Sequence, residues 1–292
     1  MRKYIISRLL HLLIVFFGVS LFTYALTSAA IGVYARPGAD KPSFIAGFIS
    51  WLHHILFEGN VSYAAPRRSI FSNFGNVLPG TIRLACVTFI VVVVFSLLIG
   101  ILAALKKDSG FGYFIRFTTF VGTAIPHFVL GVFFIFAFCL GLKWFSVINS
   151  TGPKGILLPV FALATPLISR YASQVNAAVL EELKLDYVAG AAARGISRRR
   201  ILWLHVLPNA MPTILSSLGV ITGYLLSGIV VIETMFVRPG IGYLAMQSIR
   251  LRDYSVMQAY VMLMAIFYIV ARFFIDLLVF IFDPQLHRKG TA

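Results

Sequence analysis

Residues 84–105 read LACVTFIVVVVFSLLIGILAAL, without one charged side chain. A hydrocarbon core roughly 30 Å thick needs about 20 apolar residues at 1.5 Å rise per residue. Leu84–Leu105 therefore reads as a membrane-spanning helix. Working outward, Leu9–Ile31, Phe117–Leu142 and Val206–Ile232 are runs of the same kind. Gly155–Ser169 is shorter but continues in a helix-compatible pattern through Arg170 to Leu183. Val256–Phe282 is long enough and carries Arg272 and Asp276. The expected fold is all-α. It has six transmembrane helices in one domain over residues 1–292, with spans near 9–31, 77–105, 112–142, 156–183, 207–232 and 256–282.

The composition agrees. Of the 292 residues 59% are hydrophobic and 12% charged, against roughly 25% charged in soluble proteins, and mean hydropathy is +0.91. Such figures exclude a soluble globular domain, a disordered chain and a secreted disulfide scaffold. Cys86 and Cys139 both lie inside apolar runs, so neither a structural disulfide nor a cysteine metal site is expected. The net charge of +15 would suggest nucleic acid in a soluble chain. In a membrane chain the position of the charges matters more, and no nucleic-acid partner is expected. The basic start, Arg2, Lys3 and Arg8, precedes an apolar run longer than a signal peptide's core of about 7–15 residues, so an uncleaved first span is expected.

Six spans put both termini on one side. With that side cytoplasmic, Lys106, Lys107, Lys184, Arg194 and Arg198–Arg200 fall inside, with the basic residues of both termini. The longer outer loops hold Arg36, Lys41, Arg67, Arg68, Lys143, Lys154, Arg238, Arg250 and Arg252. Basic density is higher inside, which favours cytoplasmic termini in a cell membrane.

In the outer loop 32–76, Ile45, Phe48, Ile49, Leu52, Ile55 and Leu56 recur at helical spacing, with Trp51 and His53–His54 on the flanks. This reads as an amphipathic helix on the outer surface or as a cap on the bundle. The two histidines point apart on a helix, which disfavours a metal site. In the last outer loop, Arg238-Pro239-Gly240-Ile241-Gly242 forces a turn, and Leu244, Ile249 and Leu251 suggest a dip back toward the membrane. Irregular backbone at depth must face protein or a watery cavity, so Glu233, Pro239 and Gly240 are candidate gate residues.

The inner loop 184–206 carries most information. Val188–Ala193 is a small-residue helical turn, and Gly195 permits a left-handed backbone. Ser197 is placed to N-cap a second short helix from Arg198, and Pro208 suits the opening turn of span five. The result is a helix–turn–helix that is either a positive-inside anchor or a docking element for a cytoplasmic partner.

Asp276 lies one turn from Arg272, its simplest partner. Arg170, Gln174 and Asn176 are expected to face protein or a hydrated cavity. His127 follows Pro126, a kink candidate, and reads as a packed histidine or a cargo contact. Gly219, Gly223 and Ser227, spaced by four, allow close helix approach or border the pathway.

At the inner loop the sequence resembles the E-A-A-x-x-x-G-x(9)-I-x-L-P motif of ABC importer permeases. Ala191, Gly195, Leu207 and Pro208 match, while Ala189, Gly190 and His205 depart. The peptide and nickel branch, of the first ("B") subunit type, is also similar at Tyr4–Leu10, Gly59–Ser62, Leu78-Pro79-Gly80-Thr81, Ile125–Gly131, Glu233–Gly242, Arg252-Asp253-Tyr254 and Asp283–Leu286. The resemblance implies a type I importer permease carrying peptides or a nickel or metal chelate. Its implied partners are a second, similar permease, two cytoplasmic ATPases that bind Mg-ATP, and an extracytoplasmic solute-binding protein. Asp186, Ala189, Ala191, Arg194, Gly195, Ser197, Arg198 and Arg199 would then belong to the coupling element on one ATPase. His127, Gly219, Gly223, Ser227, Glu233, Pro239 and Gly240 would belong to the pathway or gate.

The chain lacks the G-x-x-x-x-G-K-[ST] phosphate loop, so it is not expected to be an enzyme, to hydrolyse ATP or to bind a cofactor. A gradient-driven carrier or channel is the alternative. It would call for more membrane carboxylates than Asp276 and for internal repeats. An intramembrane enzyme would need a nucleophile–base pair or a metal cluster, and His11, His127 and His205 fall on separate spans.

Overall fold

The computed structural model describes residues 2–32, 43–53, 55, 57, 70–146, 152 and 154–282. Gly59–Ser62, Asp283–Leu286, His54, Leu56, Arg36, Lys41, Arg67 and Arg68 lie outside the described residues. Among those described, the chain is helical throughout: α1 (Arg2–Gly32), α2 (Phe44–His53), α3 (Ile70–Leu105), α4 (Gly110–Ala124), α5 (His127–Phe134), α6 (Leu157–Glu182), α7 (Asp186–Ala193), α8 (Arg198–Ile201), α9 (Leu207–Met235), α10 (Ile241–Leu251) and α11 (Tyr254–Phe282).

Among the described residues, five helices are long and apolar enough to cross a membrane, and six if the bent pair α4 and α5, with the π-helical Ile135–Gly141 that follows, is counted as one span. That pair meets at 93°, so the kink expected at Pro126 within the span 112–142 is a full break. The cause is local. Pro126 offers no N–H and pushes the residue before it out of the helical region. Ile125 accordingly sits at φ −87°, ψ 117°, and Pro126 becomes the N-cap of α5. The helix that holds the second span, Phe74–Leu105, starts at Ile70 and contains Pro79.

α6 lies at the centre, packed against α3, α4, α5 and α9. Lipid tails are as apolar as leucine, so helices in a bilayer associate through close packing of small groups. Gly100 of α3 illustrates this: a β-carbon there would strike the Ala172 carbonyl and the Val175 side chain. The Ser96 hydroxyl reaches the Ile168 carbonyl at 3.2 Å. The outward faces carry exposed Ile14, Phe22, Phe120 and Phe136, as a lipid-facing surface requires.

α2 caps the bundle. Its Trp51, expected on a flank, is buried and donates from Nε1 to Gln258 Oε1 of α11 at 2.8 Å. The ring of Tyr24 on α1 packs against Phe44, Phe48 and Trp51 at centroid distances of 5.3 to 5.6 Å. A buried indole N–H needs an acceptor, and Gln258 supplies it while its own amide bonds Thr27.

Candidate functional site

At one end of the bundle, α6 ends at Glu182 and α7 begins at Asp186, whose carboxylate complements the helix N-terminus. The Tyr187 hydroxyl donates to Glu182 Oε2 at 2.7 Å and ties the two helices together. Burial pushes the Tyr187 phenol above its ordinary range. A hydrogen bond with Asn209 opposes the rise, and the Glu182 carboxylate adds to it. The phenol therefore remains a donor at neutral pH. α7 stops in a Schellman motif: the Gly195 N–H bonds the Ala192 carbonyl at 3.0 Å and the Ile196 N–H bonds that of Ala191 at 3.2 Å. Gly195 sits at φ +79°, where only glycine rests without strain.

Asp186, Ala189, Arg194, Gly195, Ser197, Arg198 and Arg199 are all exposed on this elbow. Ala191 is not. It is buried in the main core and holds the elbow to the bundle. Two details differ from expectation. Ser197 occupies the N-cap position, but its side chain makes no capping bond. The second helix is also not a separate short piece, because residues Arg198–Met235 form one continuous helix with a π-helical turn at Leu202–Val206. Pro208 cannot donate to the Leu204 carbonyl and its ring crowds that oxygen. The widened turn just before it relieves the conflict without ending the helix.

At the far end of α9, Glu233, Pro239 and Gly240 are brought together around a buried carboxylate. α9 ends in a second Schellman motif, with Val237 at φ +46°, Val237 N–H bonding Thr234 O at 3.3 Å and Arg238 N–H bonding Glu233 O at 2.8 Å. Left-handed backbone is rare for a β-branched residue, so the turn is held by its surroundings. Glu233 has no exposed surface. Its carboxylate accepts from Gly242 N–H at 2.8 Å and Tyr243 N–H at 3.2 Å, and from the Thr81 hydroxyl at 2.6 Å. Thr81 Oγ1 in turn accepts from Ile241 N–H at 2.8 Å. The first three amides of α10, which no helix can satisfy internally, are thus all taken by side chains of α9 and α3.

Arg238 is 4% exposed beside this group. Burial and the nearby Arg83 charge pull its guanidinium below the ordinary value, while the Glu233 carboxylate holds it up. Leu78–Thr81 and Arg238–Gly242, far apart in sequence, thus meet in space, with the Pro239 carbonyl packed on Gly80. Sequence reasoning picked Glu233 and missed Thr81 as its partner. α10 buries Ile241, Gly242, Ala245 and Ser248. Ile249 and Leu251 are exposed on its other face.

The stripe within span five divides. The side chain of Arg272 lies across Gly219, and Tyr268 lies against Gly223, so both glycines serve the approach of α11. Arg272 Nε pairs with Asp276 Oδ1 at 3.3 Å. Ser227 is exposed and bonds its own helix at the Tyr224 carbonyl. His127 is half-buried, its ring against Gly228 of α9. The open side of α9 carries Thr213, Val220, Tyr224 and Ser227. Tyr224, one residue beyond Gly223, was not singled out from sequence, although a helical count back from Ser227 reaches it.

Residues 96–288, which include the elbow and the Glu233–Tyr243 part of the buried-carboxylate cluster, match the family described as binding-protein-dependent transport system inner membrane component. The chain belongs to that family. It is an ABC importer permease, a multi-span subunit of the inner membrane. This permease is 28% identical over 337 aligned residues to the di/tripeptide transport system permease protein DppB of Pseudomonas aeruginosa, covering 99% of this chain and 100% of the relative. It is 30% identical over 254 residues to the dipeptide transport system permease protein DppB of Bacillus subtilis, covering 86% and 82%. It is 27% identical to the oligopeptide permease AppB of the same organism, covering 98% and 99%. In fold, the permease is similar to a chain of the MetNI methionine ABC transporter in an inward-facing conformation. The TM-score is 0.59 at 18% identity, covering 73% of this chain and 98% of that one.

Proposed function

We propose that this permease is one of two similar membrane subunits of an ATP-driven importer of peptides. Both termini face the cytoplasm. The elbow from Asp186 to Arg199 seats on one of two cytoplasmic ATPases, and a solute-binding protein delivers cargo to the face that carries α10. The chain itself holds no cofactor; Mg-ATP belongs to the ATPases. The observation that carries the reading is the elbow. An exposed, small-sided helix stopped by a left-handed glycine runs directly into span five, so a partner gripping it holds a spanning helix. Relatives whose names specify di- and tripeptides, dipeptides and oligopeptides favour a peptide over a metal chelate as cargo.

Reconstitution tests this. In proteoliposomes holding the permease, its second subunit and both ATPases, a labelled dipeptide should accumulate only with lumenal ATP and external binding protein. A cysteine at Ser197 should react with an impermeant maleimide only from the ATPase side. Uphill transport by this chain alone, or labelling from the opposite side, would overturn the reading in favour of a gradient-driven carrier.

A further inference from the structure

Two arginines lie deep in the spans, and they are treated differently. Arg272 has Asp276 as its partner. Arg170 sits near the middle of α6, between Leu157 and Glu182, and among the described residues it forms no ion pair. A cation at that depth persists where it faces a hydrated cavity or an anion. The face of its guanidinium is occupied: it lies over the Tyr224 ring of α9, 4.3 Å from the centroid. Such stacking fixes the guanidinium plane and leaves its N–H edge available for a two-pronged contact with a carboxylate.

The surroundings suit a polar guest. Tyr224 is 45% exposed and stands on the open line of α9 with Thr213, Val220 and Ser227. One turn along α6 from Arg170, Gln174 is half-buried, and its Oε1, itself buried, has no hydrogen-bond partner among the described residues. Ser173 beside it is exposed. A held cation and an unused amide oxygen thus sit on neighbouring turns of one helix, braced by the ring from the next.

A peptide crossing a membrane brings a free terminal carboxylate, the group that low dielectric penalises most. We infer that Arg170, braced by Tyr224, is a transit site for the terminal carboxylate of the cargo. This rests on the peptide reading and names the chemical group recognised within it.

The test compares two cargoes in the complete reconstituted complex with its binding protein at saturation: a labelled dipeptide and the same dipeptide with its C-terminus amidated. The ratio of variant to wild-type initial rates, taken for each cargo separately, cancels the preference of the binding protein. Arg170→Gln should lower the free-acid rate about tenfold or more, the scale of one lost charge-assisted contact, and change the amide rate less than twofold. Arg170→Lys should fall between. Should Arg170→Gln fail to assemble, Tyr224→Leu, which keeps the charge and removes its brace, should give the same cargo-selective loss. Equal loss for both cargoes, or none for either, overturns the assignment and leaves the permease reading intact; equal loss would point to an acid on the second subunit as the partner of Arg170. Absence of ATP-dependent uptake of either cargo by the wild-type complex overturns the peptide reading and this inference with it.

Discussion

The carboxylate of Glu233 fills the space that a β-carbon on Gly240 would need. Gly240 is at φ −156°, extended backbone open to any residue, so the constraint is contact rather than backbone conformation. Gly240→Ala should therefore displace the carboxylate from the amides of Gly242 and Tyr243. We expect a loss of about 1–3 kcal/mol, the scale of an overpacked site, and a lower melting temperature in detergent by tryptophan fluorescence. An unchanged melting temperature would show that α10 does not depend on this packing.

Thr81 is tested by a pair of substitutions. Thr81→Val keeps the shape and removes both the donor to Glu233 and the acceptor for Ile241 N–H. Leaving two buried groups unpaired should cost about 2–4 kcal/mol, and Thr81→Ser should recover most of it. Limited proteolysis at the α9–α10 turn reads this locally: faster cleavage in the valine variant and wild-type rates in the serine variant are the expected pattern.

At the elbow, the β-carbon of a residue replacing Gly195 would meet open space, so the penalty is conformational alone. Asn tolerates left-handed backbone; a β-branched residue does not. Gly195→Asn should transport at close to wild-type rates. Gly195→Val should distort the elbow, leave the chain inserted, and raise ATP hydrolysis per peptide imported about fivefold or more, the effect of a strain of about 1–2 kcal/mol. Equal coupling ratios for the two variants would remove the elbow from the docking role.

Gly219 and Arg272 make a fourth case. A side chain at Gly219 would collide with the guanidinium that pairs with Asp276. Gly219→Leu should expel Arg272 and break its ion pair with the buried Asp276 carboxylate, a loss of about 3–5 kcal/mol, seen as failure to recover folded protein after solubilisation. Combining it with Arg272→Met and Asp276→Leu should restore part of the recovery, because both charges of the pair are then gone.

The apolar runs made the spans legible, because length and charge exclusion suffice to mark a helix that crosses lipid. Gly195 was legible for a similar reason: a glycine between a small-residue helix and a basic one has few uses other than a left-handed stop. What sequence could not give were relations between distant segments. Nothing near Thr81 announces that its hydroxyl serves an amide at Ile241, and the Gly219–Gly223 spacing fits a lipid, pathway or helix contact equally. Their orientation is decided by α11, whose Arg272 and Tyr268 lie across them. The break at Pro126 was anticipated as a kink, but its 93° angle depends on how α5 packs against α6 and α9. Ala191 matched the motif yet faces inward, because motif position does not report rotation about the helix axis.

The unbroken helix Arg198–Met235 has a mechanical corollary. Its 38 residues make a lever about 57 Å long at 1.5 Å per residue. Tilted by about 5° about its inner end, it would swing its far tip through roughly 5 Å. That tip carries Glu233, the anchor of α10, so a small rotation at the elbow would arrive there enlarged.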